Sequence, residues 1–137
     1  MTLLSQARIF RDSFAQECHP KMTTGGFIKK SLWDMQVSLI AEESTEFLCA
    51  SDELMRDPNN NHKREHLLKE LADLVFVAYQ FAACYNLDLD QAMDQVFRSN
   101  MSKLDEDGNV IYRADGKVLK GPNYREPDLS GLYPEVK

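Results

Sequence analysis

The sequence predicts an all-α protein, a four-helix bundle with a short C-terminal β-hairpin arm that assembles into an oligomer. Three observations carry this expectation. On a helical wheel, Leu32, Leu39, Glu43, Glu46 and Ala50 fall on one narrow stripe, with Ile40 and Phe47 at its edge. Residues 71–85, LADLVFVAYQFAACY, are apolar almost all round and hold a single charge, Asp73. A helix of that kind is normally buried, and one chain of 137 residues offers it too little cover, hence the oligomer. From residue 105 onward the periodicity gives way to turn dipeptides and short β-like runs.

The elements follow in order. Residues 3–17 read as an amphipathic helix on Leu4, Ala7, Ile9, Phe10 and Phe14, ended by His19-Pro20. Residues 21–26 show no periodicity and read as a loop, in which Gly25-Gly26 serves as a connection more readily than as a ligand contact. A second helix is expected over 29–56, and Asp57-Pro58-Asn59-Asn60-Asn61 breaks it and reverses the chain. A third runs from about 62 to 86. His62 and His66 near its start have the spacing of a two-His metal pair, but Lys63 and Arg64 between them favour a solvated face. Asp88 and Gln91 stand in capping-box spacing and open a fourth helix to about 103, with Met93, Val96, Phe97 and Leu104 as its stripe. Asn100 lies inside that stripe with Lys103 one turn on, which suits either a satisfied structural Asn or a polar ligand beside a phosphate-binding cation. Asp107-Gly108 and Asp115-Gly116 are turn dipeptides, and the second joins 109–112 to 117–119 as a hairpin.

Length and composition fit one domain, residues 1–137, with a helical core over about 3–104 and the arm over about 105–137. The net charge of -6 argues against a nucleic-acid surface, which wants a basic patch. Cys18, Cys49 and Cys84 are odd in number and widely spaced, as expected of reduced thiols. The N-terminal residues lack a signal-peptide pattern, and the 71–85 run is shorter than a membrane span and carries Asp73. A soluble cytoplasmic protein with no membrane partner is expected.

The chemistry rests on two pairs of carboxylates. Residues three apart on a helix are neighbours, so Glu43/Glu46 and Glu70/Asp73 each form a two-carboxylate claw in apolar surroundings. Buried carboxylates are protonated, paired or metal-bound, and neither segment places a basic residue opposite them. Oxygen-only ligands select hard ions, so Mg²⁺, with Mn²⁺ as a substitute, is the expected occupant. Either pair alone would be an ordinary solvated helix face; their occurrence on consecutive helices with apolar neighbours is what points to a metal site. Trp33 and Gln36, earlier on the same helix as Glu43, are candidates to stack on and hydrogen-bond a base, although a single Trp at helical spacing is more often core. Arg113, Lys117, Lys120 and Arg125 on the arm suit closure over a polyphosphate or plain solvation.

Glu43-x-x-Glu46, a spacer of 23 residues and Glu70-x-x-Asp73, with the doubled Glu42-Glu43, resemble the signature of the MazG-like all-α nucleoside triphosphate pyrophosphohydrolases. Ser99-Asn100-Met101-Ser102-Lys103 and the tail from Asp115 through Tyr124 to Leu129 resemble a bacterial and phage subgroup of that family. The resemblance implies hydrolysis of (d)NTP to (d)NMP and pyrophosphate with Mg²⁺. It implies that Glu43, Glu46, Glu70 and Asp73 hold the metal, with Glu43 or Glu46 as the proton acceptor. It further implies that Asn100 and Lys103 contact metal or phosphate, that Lys117, Lys120 and Tyr124 bind phosphates, and that the chain forms a homodimer or homotetramer. Two other activities stay open at this point, hydrolysis of the alarmone ppGpp and a non-enzymatic acidic binding module, the latter needing exposed carboxylates. A di-iron bundle would want Glu-x-x-His motifs, which neither Glu43 nor Glu70 begins.

Overall fold

The computed structural model describes residues 1–18 and 29–135. The expected break at His19-Pro20 and the 21–26 loop lie outside the described residues. Among the described residues four α-helices make the chain all-α, as its sequence predicts: α1 (Leu3–Ser13), α2 (Lys30–Arg56), α3 (Asn61–Cys84) and α4 (Leu89–Met101). The described residues fall into two compact units, 1–87 with the chain end from Pro134, and 88–133, so that α4 groups with the arm.

In the first unit, α3 packs against both α1 and α2. Its core is Leu4 and Ala7 of α1, Leu32 and Ala50 of α2, and Val77, Tyr79, Ala82, Ala83, Cys84 and Tyr85 at the end of α3. Aromatic rings fill the gaps: Trp33 meets the Phe81 ring edge-on at 5.0 Å, and Phe10 meets Phe76 at 5.1 Å. A buried polar knot ties the three helices together. The Arg11 guanidinium, 1% exposed, donates to Gln36 Oε1 and Gln80 Oε1 at 3.4 Å each, to Cys18 Sγ at 3.3 Å and to the Glu17 carbonyl. Gln80 Nε2 in turn donates to the Ala7 carbonyl.

The helix ends explain where the expected boundaries shift. α1 stops at Ser13, short of the expected residue 17, because Ala15 takes φ 51°, Gln16 N–H donates to Arg11 O and Ala15 N–H to Asp12 O. That is a Schellman closure with Ala where Gly or Asn is usual, so the sequence carries no sign of it. α3 closes the same way on Asn86, φ 53°, with Leu87 N–H on Ala82 O, and here Asn gives the signal. Asn60 caps α3 by accepting from Lys63 N–H, and its own amide donates to Asp57 Oδ2. Asp88 caps α4 as its sequence predicts, accepting from Gln91 N–H at 3.1 Å while Gln91 Nε2 reaches Asp88 Oδ2 at 2.8 Å.

α3 is less covered than its composition suggests. Leu68, Leu71, Val75 and Phe76 are exposed in the single chain, and with Leu3 and Ala72 they line an apolar groove. Among the described residues no helix is long and apolar enough to cross a membrane.

In the second unit the expected hairpin reduces to a single antiparallel bridge, Tyr112 to Val118, beside the backbone bonds Leu119 N–H to Ile111 O and Arg113 N–H to Lys117 O. Gly116, φ 89°, supplies the left-handed residue of the turn. Side chains and backbone then tie the arm to α4: Ser99 Oγ donates to Arg125 O at 2.7 Å, and Gly121 N–H donates to Lys103 O at 2.9 Å. A Cβ on Gly121 would stand 2.6 Å from Lys103 O and 2.8 Å from Leu104 O, both backbone atoms that cannot swing aside. Gly121→Ala is therefore expected to detach this part of the arm at a cost of about 2 kcal/mol, the scale of local overpacking. Limited proteolysis checks it, with cleavage within the arm accelerating well before the helices are cut.

Candidate metal centre

The site is built from the facing middles of two consecutive helices. Glutamate is a good helix former, so Glu43 and Glu46 extend α2 and Glu70 extends α3 without local cost, whereas Asp73 is a weaker former carried by the apolar packing of α3. Each of Glu43, Glu46 and Glu70 offers a carboxylate oxygen within 4.8 Å of the others. They differ in exposure: Glu70 is buried at 4%, Glu43 is half-buried and Glu46 faces solvent. The wheel had placed Glu46 on the apolar stripe, and the structure leaves it at the open mouth of the cluster.

Two atoms of this group are in an unusual state. Glu43 Oε2 and Glu70 Oε2 are buried and have no hydrogen-bond partner among the described residues. A buried acceptor left unpaired costs on the order of 1–3 kcal/mol, and more when it is charged. Burial first, then repulsion from Glu46 and a side-chain hydrogen bond with it, and then repulsion from Asp73 and Glu70, push the Glu43 carboxyl above its ordinary pKa. Three acids crowded together, two with buried oxygens left unpaired, fit a hard divalent cation, which takes oxygen ligands and neutralises their charge.

Asp73 is not one of the three. Its Oδ2 is 2.7 Å from Lys69 Nζ, which also lies 3.4 Å from Glu70 Oε1. The hydrogen bond to Asp73, with the charges of Asp73 and Glu70 behind it, holds the Lys69 ammonium above its usual pKa. His66 Nδ1 stands 3.6 Å from Glu70 Oε1. The expectation that no basic residue approaches the claws is thus corrected, and the signal was in the sequence: Lys69 is four residues before Asp73, and His66 four before Glu70.

The other expected site residues divide between the units. In the first, Trp33 is half-buried among Phe81 and Tyr85, and Gln36 is buried with its Oε1 on Arg11. In the second, Asn100 is exposed on the last turn of α4, and Lys103 is half-buried with its carbonyl on Gly121. Lys117 is exposed at the turn, its N–H on Asp115 Oδ1 at 3.2 Å, and Lys120 Nζ lies 4.5 Å above the Tyr124 ring. Tyr124 also lines an open cavity with Ser102, Asp105, Asn123 and Arg125.

The model of the phosphoribosyl-ATP pyrophosphohydrolase family matches residues 14–100, a span that holds all four acids and ends before the arm. The chain belongs to this family. The family is part of the MazG-like all-α nucleoside triphosphate pyrophosphatase superfamily and is metal-dependent, and the cluster of Glu43, Glu46 and Glu70 is compatible with that dependence. Membership makes the protein a hydrolase of a phosphoric anhydride in a nucleotide. No curated protein matches the chain.

Proposed function

We propose that this pyrophosphohydrolase cleaves a nucleoside or deoxynucleoside triphosphate between its α and β phosphates with Mg²⁺, releasing a monophosphate and pyrophosphate. The observation that carries the reading is the convergence of Glu43, Glu46 and Glu70 with two buried, unpartnered oxygens. Glu43, Glu46 and Glu70 would hold the cation, with Asp73 as a fourth ligand. When bound there, Mg²⁺ supplies charge neutralisation of the triphosphate and a lowered pKa for the attacking water. Glu43, half-buried within the cluster, is the candidate proton acceptor for that water. Glu46, at the solvent-facing mouth, is the alternative acceptor and takes the proton outward. The burial of Glu70 speaks against a non-enzymatic acidic surface, which needs its carboxylates exposed.

The same reading includes self-assembly. The exposed Leu68, Leu71, Val75 and Phe76 of α3 need apolar cover, and another copy of the chain supplies it. The family match favours a second substrate, phosphoribosyl-ATP, whose triphosphate offers the same scissile bond.

The test is product analysis with NTPs, dNTPs, phosphoribosyl-ATP and ppGpp, each with Mg²⁺ and with EDTA. Monophosphate and pyrophosphate in equal amounts, lost in EDTA, are expected for at least one triphosphate. Release of inorganic phosphate instead, or turnover that EDTA leaves intact, would sink the proposal.

A further inference from the structure

We propose that Lys69 is the resident counter-cation of this centre, an ammonium that a divalent metal must displace from Asp73 before all four carboxylates can share the ion. The inference rests on the metal reading above and concerns a residue which that reading does not use. Three of the acids converge within 4.8 Å, and the fourth, Asp73, is the one engaged by Lys69 at 2.7 Å. The same ammonium stands 3.4 Å from Glu70 Oε1, so it bridges both acids of the α3 claw. Glu70 is itself nearly fully buried, and its other oxygen has no partner among the described residues. One lysine therefore touches the claw from its outer edge and leaves the inner oxygens unserved.

Geometry lets it leave. The Lys69 side chain is 65% exposed, so its flexible stem can carry the ammonium into water without disturbing the helix core. A monovalent ammonium with three donors satisfies the carboxylates less well than a divalent ion ligated by all four, and the exchange runs toward the metal. Lys69 thereby sets the affinity threshold for the ion and offsets the negative charge of the α3 claw before it arrives. Its removal must tighten metal binding, a direction that mere structural damage would not produce.

Isothermal titration of Mn²⁺ into the full chain reads this directly. Lys69→Met is expected to lower the Mn²⁺ Kd about threefold or more, in keeping with the modest strength of an exposed ion pair. Lys69→Arg, which keeps the charge, is expected to stay within about twofold of wild type by the same reasoning. Lys63→Met removes a charge from the same helix at its ion pair with Asp57, and is expected to leave the Kd unchanged. An unchanged or weakened Kd in Lys69→Met would overturn the inference, as would equal tightening in Lys63→Met, which would mean a general field effect. Absence of Mn²⁺ binding to wild type, or binding that Glu70→Gln leaves untouched, would instead overturn the metal reading and the inference with it.

Discussion

Glu70→Gln is expected to lower kcat/KM at least about a hundredfold while leaving the folded chain as stable as wild type or more so. The two side chains are the same size, so packing around this 4%-exposed position is preserved. What is lost is a buried charge whose Oε2 has no hydrogen-bond partner among the described residues. Removing the charge relieves desolvation at the unpartnered Oε2 and the repulsion with Glu43, which together offset the loss of the long contacts from Oε1 to Lys69 at 3.4 Å and His66 at 3.6 Å. On the proposed metal reading the same removal takes a ligand from the cation, and loss of such a residue typically costs activity by orders of magnitude. The measurement is kcat/KM with excess Mg²⁺ alongside the melting temperature in EDTA on one preparation. Activity above about a tenth of wild type would show that the buried acid is structural. A falling melting temperature together with lost activity would show that Glu70 holds the fold.

Arg11→Leu is expected to be the most damaging single change to stability, by about 3 kcal/mol. Its guanidinium is the donor for Gln36, Gln80 and the Glu17 carbonyl, three acceptors on separate parts of the chain. Leucine leaves the two buried glutamines without this donor, at on the order of 1 kcal/mol or more each, and removes the tie to the Glu17 carbonyl as well. Lysine does not rescue, because one ammonium cannot reach all three directions of the planar fork. Arg8, exposed on the same helix, is the control: Arg8→Leu should shift stability by less than about 0.5 kcal/mol. Urea unfolding at fixed protein concentration checks both, with Arg11→Leu lowering the midpoint and keeping the slope.

The reach of the sequence can be judged from these same residues. The period of α2, the turn at Asp57 and the cap on Asp88 are local chemistry, and they appear where the chain predicts them. The acidic convergence of Glu43, Glu46 and Glu70 was legible because two three-residue spacings on consecutive helices leave few other arrangements. Arg11 was not legible as a buried residue. On a wheel it is one more charge on an amphipathic helix, and only the packing of three helices turns it inward. Gln36 was read as a base contact from its place near the claws, while its burial on Arg11 depends on a partner 25 residues away. The early stop of α1 was hidden because Ala15 takes a conformation for which alanine gives no warning. The arm was overread: alternation and turn dipeptides predict a ladder, and without a sheet to extend, one bridge forms.

The turn between Asp57 and Asn60 has a bearing on how the molecule comes together in time. The two halves of the acidic centre sit on either side of that turn with 23 residues between Glu46 and Glu70, so bringing them face to face closes a short loop. Contacts of such small sequence separation form early in folding. The mutual repulsion of the carboxylates is thus met on the way up the barrier rather than after it. On the metal reading proposed above, a divalent ion that screens them would also speed formation of the helical hairpin.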